Sequence, residues 1–194
     1  MSHLQPQPNY DPVILDFFDW IEDVSKPDSE QRKFSKGTFV PQPRITEYFK
    51  DLDRVTKLLR SVFGSRQLPV EPARVAQACP RVFSTLLLIG KGNYIRRFVE
   101  EHSLRDEELP FRTQPPGFPR APDDPDFFKS FYECQWQFCA PKLHNSSRLH
   151  FDDEIVLPIV RREPLASGVS ANVFKIELHE WYNRLHKDAD SQVV

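Results

Sequence analysis

Glycine is scarce in this chain, with six in 194 residues, while there are 18 prolines. An average composition has about 7% glycine and about 5% proline. Scarce glycine argues against a protein built on several phosphate-cradling loops, which need backbone conformations that cost other residues dearly. Three cysteines (Cys79, Cys134 and Cys139) are too few, and odd in number, for a disulfide framework. Neither sign of charge is in excess: 26 Lys and Arg against 28 Asp and Glu leave a formal charge of −2. Such a balance lacks the electrostatic footprint of a nucleic-acid or anionic-membrane binder. Apolar runs are short, the longest (residues 82–89) being interrupted by Ser84 and Thr85, where a membrane span needs about 18 residues. The first residues, MSHLQPQPNYDP, have neither the basic start nor the apolar stretch of a signal peptide. The expectation is an intracellular, cytoplasmic, reduced chain with no nucleic-acid and no membrane partner.

Aromatics are plentiful: 16 phenylalanines sit within a 39% hydrophobic composition. Burial of that much ring area can offset the ordering entropy of the chain, so a packed core is expected. Residues 1–10 are polar and hold Pro6 and Pro8, which reads as a flexible tail. Asp11-Pro12 reads as a helix start, an N-cap followed by proline at the first helical position. Ile14, Phe17, Phe18, Ile21 and Val24 follow at helical spacing. One long helix is expected over residues 46–63, with Tyr48, Phe49, Leu52, Val55, Leu59 and Val62 as its stripe and Gly64 as its stop. Further helices are expected at 72–78, 80–89, 94–101 and 126–136. Residues 110–125 carry six prolines and read as a stiff irregular connector.

The pattern changes after Asp152-Asp153-Glu154. Residues 155–160 (IVLPIV) are rich in β-branched side chains, and residues 173–178 (VFKIEL) alternate. Two strands joined around Ser167-Gly168 make a hairpin, and residues 179–187 read as a short helical excursion. The fold class expected is α+β: a mainly helical amino-terminal region over 11–150, then a β-rich segment over 151–194.

The hairpin carries the sequence Leu165-Ala166-Ser167-Gly168-Val169-Ser170-Ala171-Asn172-Val173. A protein-kinase nucleotide loop has the form G-x-G-x-x-G-x-V between two strands. Here its glycine positions hold Ala166, Gly168 and Ala171, and its valine position holds Val173. With the flanking stretches FYECQWQFCAPKL and HFDDEIVLPIVRREPLASGVSANVFKIELH, the chain resembles a kinase-like family of filamentous fungi. CPRVFSTLLLIGKGNYI and LPFRTQPPGFP also resemble segments of that family, so the likeness covers most of residues 70–179. It implies that residues 151–194 are the first two strands of a kinase small lobe. Leu165 and Val173 would then pack against the two faces of an adenine. The amides of Ala166, Ser167, Gly168, Val169, Ser170 and Ala171 would cover the phosphates. The complete parent would use ATP and magnesium to phosphorylate serine or threonine.

Phosphoryl transfer also needs a third-strand lysine, a catalytic-loop aspartate and the aspartate of D-F-G. No H-R-D and no D-F-G occurs in the 194 residues, so the chain itself is expected to bind no cofactor and to have no catalytic residue. The alternative from another class is a helical module that binds protein partners. Other constellations read as structure. Gly90-Lys91-Gly92 lacks the first glycine and the hydroxyl of a P-loop, since those places hold Thr85 and Gly92, and so reads as a helix stop. Cys134, Cys139, His144 and His150 lack the tight pairing of a zinc site, and Asp152-Asp153-Glu154 reads as a solvated turn.

Overall fold

The computed structural model describes residues 11–25, 38–144, 153–167 and 172–185. They run through α1 (Pro12–Val24), α2 (Gln42–Lys50), α3 (Leu52–Phe63), α4 (Pro72–Ala78), α5 (Pro80–Leu88), α6 (Ile95–Glu100) and α7 (Phe127–Gln135). The strands β1 (Leu143–His144), β2 (Ile159–Ser167), β3 (Asn172–Leu178) and β4 (Asn183–Arg184) follow, giving a mixed α+β structure. Four of the 18 prolines are explained by helix starts. Pro12, Pro43, Pro72 and Pro80 each occupy one of the first two positions of a helix, where a missing N–H costs nothing. Asp11 caps α1 by accepting the Val13 N–H at 2.8 Å.

The single helix expected over residues 46–63 is two. Asp51 leaves helical geometry (φ −78°, ψ 94°), closes α2 and caps α3 through the Arg54 N–H at 3.1 Å. An aspartate side chain competes for backbone donors, which favours a cap over a helix interior. The break shifts the buried stripe of α3 to Val55, Leu58 and Leu59 and leaves Leu52, in its first turn, exposed. Gly64 ends α3 in the left-handed conformation (φ 60°) with its N–H on the Arg60 carbonyl, as the sequence suggests.

Helix α5 is the centre of the helical region, with Val82, Phe83, Ser84, Thr85, Leu86 and Leu87 all buried. Its hydroxyls are satisfied within the helix: Ser84 Oγ donates to the Pro80 carbonyl at 2.8 Å and Thr85 Oγ1 to that of Arg81 at 2.9 Å. Its amino-terminal amides are satisfied from outside. Asp106 accepts the N–H of Arg81 at 2.8 Å and of Val82 at 2.9 Å, and pairs with Arg81 Nε at 3.3 Å. The Arg81 guanidinium also donates to the carbonyls of Asp106 and Phe138. Burial pushes the Asp106 carboxyl above its ordinary value, and the Arg81 charge and the two amides hold that rise in check.

The proline-rich connector is built into the core. Phe111, Phe118 and Ala121 are buried, and Phe111 and Phe98 stack on Phe131 at 5.6 and 5.7 Å between ring centres. Phe118 lies edge-on to Phe98 and Phe131 at 5.4 and 5.5 Å. Buried Gln135 pairs with the backbone of Phe111 as a strand would: Oε1 accepts its N–H at 2.7 Å, and Nε2 donates to its carbonyl at 2.9 Å.

Two small sheets complete the described residues. Strands β2 and β3 form an antiparallel hairpin, and β1 pairs with β4 in parallel, Leu143 opposite Asn183. The first hairpin strand begins at Ile159, not Ile155, and runs on through Arg161, Arg162 and Glu163 to Ser167. Residues 155–158 are irregular. Residues 179–187 do not form the expected helical excursion over their described part: a turn leads into β4.

Asp106→Ala would leave a partly buried guanidinium and two helix-terminal amides without a carboxylate, and should cost about 3 kcal/mol. Asp106→Asn keeps an acceptor for the amides and should cost clearly less. Urea midpoints at pH 7 read the difference.

Candidate functional site

The hairpin is the part of the structure to which the sequence points for chemistry. Arg162 pairs with Ile176 and Pro164 with Phe174 on one face; Arg161 pairs with Glu177 and Glu163 with Lys175 on the other. Proline is tolerated in β2 because a two-stranded sheet leaves an edge on each side. The register slips between Pro164 and Ala166, so Leu165 is an extra residue in β2, and Ala166 then pairs with Val173. Alternation from Pro164 and from Phe174 places Leu165 and Val173 on the same face. Both are largely uncovered, at 64% and 53% exposure.

This arrangement alters one expectation. Two residues on one face of a hairpin bear on one side of a planar ligand, not on its two sides. Ser167 pairs with Asn172 at the last described step. The expected phosphate-covering residues Gly168, Val169, Ser170 and Ala171 lie outside the described residues.

Around these positions the hairpin is charged and held by local contacts. Glu163 accepts from Arg161 at 2.7 Å and lies 3.9 Å from Lys175. The Arg162 guanidinium lies 3.6 Å from the ring centre of Phe174, an attraction between cation and ring face. Lys175 thus faces a carboxylate on its own hairpin. No residue of β2 or β3 whose side chain is described is fully buried.

Other chemistry-bearing residues are committed to structure. Lys91 Nζ sits 3.4 Å from Asp123 and 3.2 Å from Asp124, and Gly90 takes φ 69°, which supports the helix-stop reading of Gly90-Lys91-Gly92. Burial pushes the thiols of Cys79 and Cys139 up to about 12 and that of Cys134 up to about 11. Thiols so shifted stay protonated near neutrality and are poor nucleophiles. Among the described residues no group of three or more His, Cys, Asp or Glu could hold a metal ion, and no helix is long and apolar enough to cross a membrane. A cleft of about 430 Å³ lies between Asp11, Ser61, Val62 and Gly92, away from the hairpin. A Cβ at Gly92 would come within 2.9 Å of Val62 Cγ2, so a larger residue there would force the Val62 side chain to shift.

Sequence reasoning missed the base of the hairpin. Pro158 accepts the His179 N–H at 2.9 Å, closing the two legs. Tyr182, just beyond, is buried, and its hydroxyl accepts the Gln42 N–H at 2.8 Å. Phe39 and His179 lie edge-on to its ring at 5.7 Å each. Periodicity offers no signal for one tyrosine in a turn, although an aromatic after a polar strand is a fair cue for an anchor.

No protein-family model, curated protein or solved structure matches the chain.

Because neither face is packed, β2 and β3 amides should exchange with solvent at least tenfold faster than the α3 and α5 core amides. All three cysteines should resist iodoacetamide at pH 8 until the chain is unfolded. Their raised folded values also set a sign. Stability is retained below the ordinary thiol value of 9.0 and is lost as pH rises from there toward about 12. Denaturation midpoints at pH 8 and pH 10.5 read that loss.

Proposed function

We propose that this chain is the amino-terminal part of a serine/threonine protein kinase-like protein, a helical region joined to the first two strands of the small lobe. The observation that supports the reading best is the setting of the loop sequence. Leu165, Ala166 and Ser167 end strand β2, Asn172 and Val173 begin its antiparallel partner β3, and the two apolar flanking residues Leu165 and Val173 share one uncovered face. A ring laid under that face would meet both side chains, and burying them would recover apolar area now open to water. The loop between them is where backbone amides would approach phosphates, with Gly168 at the position of closest approach.

Of the groups that would hold ATP and magnesium, this chain carries only that loop and its two apolar neighbours. Metal ligation, the lysine that engages the phosphates and the base that orients the hydroxyl belong to segments after the hairpin. No phosphoryl-transfer step is therefore assigned to residues of this chain. Their role is to cover and orient the nucleotide. Alanine at two of the three glycine positions narrows the approach of the loop to the phosphates, which fits a slow enzyme or one that binds without turnover.

The test is the coding sequence beyond Val194. An in-frame V-A-x-K strand followed by H-R-D and D-F-G is expected. The correspondingly extended protein should transfer radiolabelled γ-phosphate to a generic protein substrate and lose at least tenfold of that rate on Gly168→Asp. A stop codon directly after Val194 would sink the reading in favour of a helical interaction module. The 194-residue chain alone is expected to show no magnesium-dependent ATP turnover.

A further inference from the structure

The hairpin is joined to the helical region by very little. Leu165, Val173 and Ile176 are exposed, and the described side chains of β2 and β3 are nowhere fully buried. What is buried lies at its base: Pro158 on the entering leg and Tyr182 beyond the leaving leg. Tyr182 uses each of its polar groups on a different segment. Its N–H donates to the His179 carbonyl at 2.9 Å, within the hairpin's own exit. Its carbonyl accepts the Leu143 N–H at 2.8 Å, which starts the β1–β4 pairing after α7. Its hydroxyl accepts the Gln42 N–H at the start of α2.

That last bond answers a deficit in α2. The first amides of a helix have no partner within it, and the N-cap of α2 is Pro41, which supplies no side-chain acceptor. A phenol from 140 positions along the chain takes that place. Phe39, edge-on to the tyrosine ring, is followed by buried Val40, whose N–H donates to the Gln137 carbonyl at 2.8 Å. The tyrosine is thus seated among segments that precede α2, follow α7 and leave β3. Burial raises its phenol above the ordinary value, so the hydroxyl stays protonated and keeps its shape as a cap.

We propose that Tyr182 is the positioning residue through which the helical region sets the direction of the β2–β3 hairpin, and that the start of α2 and the hairpin are coupled through it. The inference goes beyond the kinase-like reading and holds whether or not the hairpin covers a nucleotide. Among the described residues of β2 and β3 no side chain is fully buried, so the hairpin's orientation follows from the seat of one aromatic ring at its base.

The test uses the isotope-labelled full chain, comparing residual dipolar couplings and amide exchange for wild type, Tyr182→Phe and Tyr182→Ala. In wild type and Tyr182→Phe, couplings from β2 and β3 should fit the same alignment tensor as those from α3 and α5. The Phe variant removes only the hydroxyl, so its Gln42 amide should exchange about five- to tenfold faster. In Tyr182→Ala the hairpin couplings should leave the common tensor and shrink, while those of α3 and α5 persist. Three results would overturn the proposal: hairpin couplings that still fit the common tensor in Tyr182→Ala, loss of α3 and α5 together with the hairpin in that variant, or an unchanged Gln42 amide in Tyr182→Phe. The second would make Tyr182 an ordinary core residue.

Discussion

The buried amino terminus of α5 is the constraint on which the helical region depends. A helix covered on most sides by other helices cannot leave its first amides to water, and an unpaired buried donor costs about as much as several good contacts return. The chain meets this with a carboxylate from the segment after α6. Asp106 accepts the amides of Arg81 and Val82, and Arg81 spreads its guanidinium over the carbonyls of Asp106 and Phe138. One charge pair therefore ties the start of α5 to the turn before the proline-rich connector and to the segment leaving α7. The apolar face of α5 can then be packed without regard to its polar end.

Once α5 is seated, the connector has a surface to lie on. Proline-rich segments are short of backbone donors, so the attachment comes largely from side chains: rings, one amide, the Lys91 ion pairs with Asp123 and Asp124, and Arg97 Nε donating to the Gly117 carbonyl. Phe111 and Phe118 enter the stack formed by Phe98 and Phe131, and Gln135 completes the backbone of Phe111. Buried ring pairs contribute roughly 1 kcal/mol each beyond their area. A paired buried peptide group also removes a penalty that would otherwise push the connector out into solvent. Stiffness in this stretch thus comes from its anchors as well as from its prolines.

Helix starts, the stop at Gly64 and the apolar stripe of α1 were legible in the sequence because each rests on local chemistry: a cap, a proline and a period. The interactions that decide how the pieces join were not. Asp51 lies within an apolar period that continues across it, so spacing favours one helix while capping favours two, and capping prevails. Strand β2 was misplaced because apolar content located it at residues 155–160, whereas a strand with no buried face needs no apolar residues and can run through Arg161, Arg162 and Glu163. Asp106, Gln135 and Tyr182 act on partners 24, 24 and 140 positions away, and no local pattern carries such pairings. Of the candidate site, the pairing of two strands on either side of the loop sequence was legible. The slip that makes Leu165 an extra residue and pairs Ala166 with Val173 was not, since one extra residue in a strand leaves no mark on composition.

The two halves of the structure follow opposite physical rules, and their junction makes sense of both. The helical region buries its apolar side chains and satisfies most of its buried polar groups internally, Ser61 Oγ, Arg105 Nε and Trp136 Nε1 excepted, so its geometry is over-determined. The hairpin pairs backbone to backbone and, among its described residues, fully buries no side chain, so its register comes from its own hydrogen bonds and its direction from its base. An isolated two-stranded ribbon is marginal in water, and what it lacks is a surface to rest on. Attachment at the base, through a buried ring and a backbone pairing of two residues on each strand, fixes where the ribbon leaves the helical region without covering its faces. Among the described residues neither β2 nor β3 pairs with a further strand, so no neighbouring strand steers the ribbon and its direction rests on its base.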